Sequence, residues 1–255
     1  MKGAALGILL LAHGGDPSWN REVQKLAASV GAEAALGMAD PNTIRPALEK
    51  LEKRGVKKIV AVPLFVNSSS EVLEQTRYVL GLKKEPSEVM RRAAQHMPKH
   101  LGHHMFSLER ATTKLPLEMT PALDAHPLVA EILKERADRL GAGPVVLVAH
   151  GPVDEKSVPK WESAMRALAA RLGREDVEIA MLRDDAPPPV RAKAVEDLRK
   201  KVAARPGAVV VPLLIARGGI EKKIPAALKG LEYRWDGRTL MPHPNIEAWV
   251  KEMTK

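Results

Sequence analysis

The chain has 255 residues, enough for two domains of ordinary size. Hydrophobic residues make up 45% and charged residues 28%, as in a folded globular protein rather than a disordered one. It has no cysteine and a net charge of +9, which excludes disulfides, thiolate metal sites and iron–sulfur ligation and favours anionic partners in a reducing compartment.

Only 3% of residues are aromatic, so the core must be built from Leu, Val, Ile and Ala. Basic residues are mixed with Glu, as in "KAVEDLRKKVAARPG". That pattern reads as solvated helix faces, not as a nucleic-acid footprint, and no nucleic-acid-binding motif is present. No apolar run reaches the ~20 residues a membrane span needs. The start, "MKGAALGILLLAHGG", has one lysine before a short apolar stretch but no small-x-small cleavage site. It reads as a buried first strand of a cytoplasmic protein, with neither a nucleic-acid nor a membrane partner.

In chain order, residues 6–12 are a continuous apolar run, as in a strand buried on both faces. Val23, Leu26, Ala27 and Val30 have helical spacing over 19–30. "AEAALGM" predicts a second strand, 46–54 a helix stopped by Gly55, and "KKIVAVPLFV" a third strand ending in the polar loop "NSSSE". "LPLEM" predicts a short fourth strand and 127–140 a helix. The second half repeats the scheme through "VVLVAH", "KWESAMRALAARL", "VEIAML", "VRAKAVEDLRKKVAA", "AVVVPLLIA" and a final helix near 244–254.

The chain says things twice. "LLLAHGG" matches "VLVAHGP", "VAVPLFVNSSSEVLE" matches "VVVPLLIARGGIEKK", and "LDAHPLVAEILKERA" matches "LMPHPNIEAWVKEM", in the same order. The predicted fold is α/β, with two similar lobes, each a parallel sheet flanked by helices. The lobes are expected at 1–143 and 144–255, divided at "GAGP". Residues 82–114 have no counterpart and read as a partly helical insertion in the first lobe.

Ligands of open parallel sheets bind beyond the carboxyl ends of the strands. His13, His150, the "NSSSE" loop and "ARGGIE" at 216–221 all fall there. A neutral imidazole at such an end can ligate a divalent metal or take a proton near pH 7. It can equally cap its own strand through a backbone hydrogen bond, and the residues leave both readings open. Glu71 can bind metal or take a proton beside His13, or can simply favour the dipole of the next helix. Ser68, Ser69 and Ser70 form the loop before it. His96, His100, His103 and His104 share one face if their segment is helical, and pairs spaced i, i+4 can chelate a metal; Pro98 and Gly102 argue against a regular helix. His126 and His243 each precede proline and are expected to shape a turn. Asp184 and Asp185 are explained by the prolines and the helix start that follow. Phosphate-loop, dinucleotide and serine-hydrolase motifs are missing.

"LLAHGGDPSWNREV", "VPLFVNSSSEVLE", "MTPALDAHPLVAEIL" and "VPLLIARGGIEKKI" together resemble the sirohydrochlorin chelatase family. These are class II chelatases, lyases of the anaerobic cobaltochelatase type, and the resemblance is to their double-length, two-lobe form. It implies ATP-independent insertion of Co²⁺ or Fe²⁺ into sirohydrochlorin in a cleft between lobes, for cobalamin or sirohaem synthesis. It implies no permanently bound cofactor, the metal being a substrate. His13 matches the family's metal-holding histidine. Where a second histidine normally follows the third strand, this chain has Glu71, and Ile220 in the second lobe. Ser68, Ser69, Ser70, Arg217, Gly218 and Gly219 are expected to face the tetrapyrrole, with Arg217 pairing to its carboxylates. His96, His100, His103 and His104 are expected to deliver metal. The departure at Glu71 keeps a non-catalytic metal or tetrapyrrole carrier as the alternative.

Overall fold

A computed structural model describes residues 5–87, 91 and 108–255. The first sheet has the order β2-β1-β3-β4, from strands β1 (Leu6–Ala12), β2 (Glu33–Leu36), β3 (Lys58–Leu64) and β4 (Leu117–Met119). The second has β6-β5-β7-β8, from β5 (Val145–Ala149), β6 (Val177–Met181), β7 (Ala208–Leu213) and β8 (Tyr233–Arg234). Every pairing is parallel. The duplicated α/β architecture expected from the repeats is therefore present.

Helices cover both sheets because each crossover must return the chain to the start of a parallel strand. In the first half these are α1 (Pro17–Ser29), α2 (Pro41–Lys53) and α3 (Glu71–Val79), followed after β4 by α4 (Pro127–Arg139). In the second they are α5 (Val158–Ala169), entered through a 3₁₀ turn at Glu155–Ser157, then α6 (Pro188–Ala203), α7 (Ile220–Ala227) and α8 (Pro244–Met253). Leu9, Leu11, Ile59 and Ala61 of the first sheet pack with Ile44, Leu48 and Leu51 of α2. Val146, Val148 and Val210 of the second pack with Leu198 and Val202 of α6 and Ile224 of α7.

Three elements depart from expectation. Helix α2 starts at Pro41, not at Pro46, because Asp40 caps it by accepting from the Asn42 N–H at 2.9 Å. Pro46 then lies inside the helix and removes one backbone bond, which the buried Ile44–Ala47–Leu48–Leu51 face offsets. Helix α7 and the two-residue β8 were not expected: Gly218 and Gly219 before α7 and Pro225 within it obscure its periodicity.

The compact units do not follow the sequence repeat. One comprises Met1–Ala122 with Val250–Lys255, the other Leu123–Trp249. Helix α4 thus belongs to the second unit, where it packs beside β7 and buries Val129, Ile132, Leu133 and Ala137. Its buried Arg136 donates from Nε to the Thr239 carbonyl at 3.3 Å. The His-Pro turns behave as expected. His126 Nδ1 accepts from the Leu128 N–H at 3.3 Å and caps α4. His243 Nδ1 accepts from the Asn245 N–H at 3.1 Å, which leaves Nε2 as the donor to Glu135 at 2.9 Å. That hydrogen bond holds the Glu135 carboxyl below its ordinary range; desolvation opposes the shift, and the charges of Arg136 and Arg139 assist it.

Leu9 is fully buried and Leu82 is 41% exposed. Leu9→Ala is expected to lower unfolding stability by about 2–5 kcal/mol, and Leu82→Ala by less than about 0.5 kcal/mol, in denaturant titration. Because the Glu135 pKa is depressed on folding, its contribution is present above the ordinary glutamate value and is lost as pH falls through the folded value. Glu135→Gln should therefore remove that part of the acid-side slope, a change of about 0.2–1 kcal/mol for a pair whose carboxylate is solvent-exposed.

Candidate active site

In a sheet of order 2-1-3-4, consecutive connections leave β1 in opposite directions, so a crevice opens at the carboxyl ends of β1 and β3. The register pairs Ala12 with Leu64, so His13 and the loop from Phe65 leave this edge together. The second sheet repeats the arrangement, with Ala149 paired to Leu213 and His150 following.

His13 is exposed on a loop whose backbone is closely held. The Asp16 carboxylate accepts from the Ser18 and Trp19 amides at 2.8 and 2.9 Å and caps α1. Asn20 clasps Gly15 from both sides, accepting from its N–H at 2.9 Å and donating to its carbonyl at 3.1 Å. His13 Nδ1 lies 2.8 Å from the Gly14 carbonyl oxygen. A carbonyl only accepts, so Nδ1 carries the hydrogen and the neutral ring presents its lone pair at Nε2. The backbone bond and the ligand role, posed as alternatives by the sequence, are compatible: the first orients the ring for the second.

The loop after β3 is organised by Asn67, which is 3% exposed and accepts from the Ser69 amide at 2.9 Å. Ser68 Oγ accepts from the Ala122 N–H at 2.8 Å, so its oxygen is tied to the backbone after β4. Ser70 is the N-cap of α3 by position, without a side-chain capping bond. Glu71 is the half-buried first residue of α3. Its carboxylate stands where the helix dipole favours negative charge, and a carboxylate there is a hard oxygen ligand or a proton acceptor. Asn67 carried no chemical signal in the sequence; only its burial shows its role.

The second unit repeats the histidine but changes its surroundings. His150 Nδ1 donates to the Gly151 carbonyl at 2.9 Å, so this ring too presents Nε2. The β5–β6 ladder continues past the strands, with Leu182 N–H to the Ala149 carbonyl at 3.0 Å and Arg183 N–H to the His150 carbonyl at 2.7 Å. Arg183 has φ 50°, a left-handed turn that brings the next two residues back toward His150. Asp185 Oδ2 lies 3.3 Å from His150 Nε2, and one ligand atom from each of His150, Asp184 and Asp185 falls within 4.8 Å of the others. The prolines and helix start were expected to account for these aspartates, yet neither aspartate is the N-cap of α6, which is Pro187.

The loop after β7 differs as well. Glu221 is 7% exposed and accepts from the Gly218 and Gly219 amides at 3.0 and 2.8 Å. These amide hydrogens are therefore engaged within the protein. Arg217 is exposed on the same loop. His96, His100, His103 and His104 lie outside the described residues. The stem of the insertion is anchored by Tyr78, whose hydroxyl donates to the Leu108 carbonyl at 2.8 Å, and by Arg110 above its ring. Among the described residues, no helix is long and apolar enough to cross a membrane.

Two sheets of this order with matching strand-end histidines make a duplicated α/β chain. The structure is similar to SirB from Bacillus subtilis, solved with Fe³⁺, at a TM-score of 0.62 and 16% identity over 98% of this chain and 96% of that one. It is also similar to DR2241 from Deinococcus radiodurans, a multi-domain protein with structural similarity to chelatases, at a TM-score of 0.57 and 19% identity. That match covers 99% of this chain, which spans 55% of the DR2241 chain. No curated protein matches the chain. The model of the CbiX family matches twice, over residues 7–140 and 144–255, and the chain belongs to that family. It is therefore a class II chelatase, whose substrates are a tetrapyrrole and a metal ion.

Gly151 has φ +81°, and a Cβ there would lie 2.8 Å from the Met181 Cβ. Gly31 has φ +67° with nothing within 4 Å. Gly31→Ala should cost about 1 kcal/mol for the left-handed backbone alone. Gly151→Ala should cost about 1–3 kcal/mol more, from the clash. Equal losses in thermal unfolding would show that the loop after β5 is not packed on β6.

Proposed function

We propose that the protein inserts a divalent metal, Co²⁺ or Fe²⁺, into sirohydrochlorin without ATP, supplying cobalamin or sirohaem synthesis. The observation that carries this reading is the His13 ring, oriented by its bond to the Gly14 carbonyl so that Nε2 is presented at the β1–β3 crevice of a CbiX-family chain. No resident cofactor is needed, since metal and macrocycle are both substrates.

The chemistry sets the demands. The metal must lose water, the ring must lose two pyrrole protons, and the product is the metallated ring plus those two protons. His13 Nε2 holds the incoming ion as a single, exchangeable ligand and afterwards accepts a pyrrole proton. Glu71 supplies the second basic group from the start of α3, in place of the family's second histidine. Together the Glu71 carboxylate and the His13 imidazole offer one acceptor for each proton. The polycarboxylate substrate suits a chain of net charge +9. Exposed Arg217 offers a guanidinium to a carboxylate, and Ser68, Ser69 and Ser70 border the crevice of the first unit.

The test is optical. Sirohydrochlorin is mixed anaerobically with the protein, Co²⁺, Fe²⁺ or Ni²⁺ is added in turn, and the absorbance change is compared with the uncatalysed rate. Several turnovers per chain are expected, with the largest acceleration for Co²⁺ or Fe²⁺. His13→Ala should lower the rate about 10²-fold or more, and Glu71→Gln should lower it by a smaller factor. Metallation of only one equivalent per chain would make the protein a carrier, and an unchanged rate in His13→Ala would remove the assigned role of that residue.

A further inference from the structure

We infer that Asn20 is the positioning residue of the first site, setting the tautomer and direction of the His13 ring through the Gly14–Gly15 peptide. The inference rests on the proposed role of His13 as the residue that holds the metal, and deepens it.

The geometry is a relay across one peptide unit. His13 Nδ1 donates to the Gly14 carbonyl at 2.8 Å. The Gly15 N–H belongs to the same planar peptide, which is trans, and so points the opposite way. Asn20 Oδ1 accepts from that N–H at 2.9 Å. Holding one end of a rigid plane fixes the other, so the carbonyl that selects the His13 tautomer is aimed by Asn20. Bonds made at the two ends of one peptide also polarise and strengthen each other. The carboxamide has one possible orientation. Its oxygen must face the Gly15 N–H and its nitrogen the Gly15 carbonyl, to which Nδ2 donates at 3.1 Å.

The backbone needs such a hold. Gly14 and Gly15 are adjacent glycines, and glycine has the most backbone freedom to lose on folding. Asn20 is itself well anchored. Its N–H donates to the Asp16 carbonyl at 3.0 Å in the first turn of α1, and the neighbouring Trp19 is buried. A Cβ on Gly15 would lie 3.3 Å from Trp19 Cγ, so the glycine rests against the indole.

The second unit supplies an independent observation. There the residue after His150 and Gly151 is Pro152, so the corresponding peptide has no N–H to hold. The residue after the matching Trp161 is Glu162, whose carboxylate cannot donate. The N–H and the carboxamide that grips it are thus replaced together. The proline ring fixes φ in its place, and Arg183 Nε donates to the Pro152 carbonyl at 3.0 Å. An asparagine serving helix formation alone gives no account of that paired change.

The test is ¹⁵N NMR of the histidine rings in the full chain at about pH 8.5, where an ordinary imidazole is neutral. The His13 signals are assigned by their loss in His13→Ala. Wild type is expected to carry the His13 hydrogen on Nδ1. Asn20→Ala should show a mixture that includes the Nε2–H form, because the tautomer follows the hydrogen bond that the ring makes. Asn20→Asp keeps an oxygen for the Gly15 N–H and should keep the wild-type signals. Alanine is the best helix former, so Asn20→Ala should melt within a few degrees of wild type. With Co²⁺ alone, calorimetry should show the equivalent that depends on His13 bound about tenfold more weakly in Asn20→Ala. A wild-type tautomer in Asn20→Ala would overturn the inference and leave Asn20 a residue of the fold alone. A mixed tautomer in Asn20→Asp would overturn it as well. If His13→Ala binds Co²⁺ as wild type does, the metal-holding role of His13 fails, while the ring signals still decide the role of Asn20.

Discussion

One hydrogen bond, made twice, sets what each sheet can do. A histidine at the end of the first strand donates from Nδ1 to the carbonyl of the glycine that follows it. The bond closes over a single residue only because that glycine takes a left-handed turn, φ +77° at Gly14 and +81° at Gly151. A β-carbon would meet the backbone after β2 at Gly14 and the Met181 side chain at Gly151. The His-Gly pair is thus a device for fixing one tautomer and one ring direction at a strand end. Burial of the strands comes first: Leu9, Leu10, Val146 and Leu147 are fully buried, so the edge that carries the histidine has little freedom to shift.

Around that shared device the two units have diverged in their loops. The loop after the third strand is folded on a buried amide, Asn67, in the first unit and on a buried carboxylate, Glu221, in the second. Both satisfy loop N–H groups that would otherwise be unpaired near the core. Their consequences differ. In the first unit a carboxylate, Glu71, opens the next helix, whereas the second has Ile220 there and uses its nearby carboxylate internally. On the other side of the central strand the asymmetry reverses, with the acidic pair in the second unit only. Duplication supplied two similar edges, and each kept its acidic group on a different side of its histidine.

Most of the architecture could be read from the residues. Continuous apolar runs such as "GILLLA" and "VVLVA" admit few structures other than buried parallel strands, and the repeat fixed their order. Helix α2 escaped because Pro46 reads as a start until the Asp40 cap is weighed against it. Helix α7 escaped because eight residues with an internal proline carry too little periodicity. In the site, His13 and His150 were legible from the strand-end rule, and Glu71 from its place after the third strand. Asp184 and Asp185 were read only as carboxylates before a helix, which have an ordinary explanation there. Their relation to His150 depends on the left-handed backbone at Arg183, a conformation that an arginine does not announce.

The composition of the first compact unit has a consequence for how the chain is made. Residues 5–87 and 108–122 lie in that unit, but so do Val250–Lys255. These are synthesised after the whole of the second unit, at least 127 residues later, from Leu123 to Trp249. The sheet that bears His13 can form early, yet its unit reaches its full complement of contacts only once that last segment emerges. The order of translation therefore reverses the order of completion: the second unit, begun later, is the first to have all of its own residues.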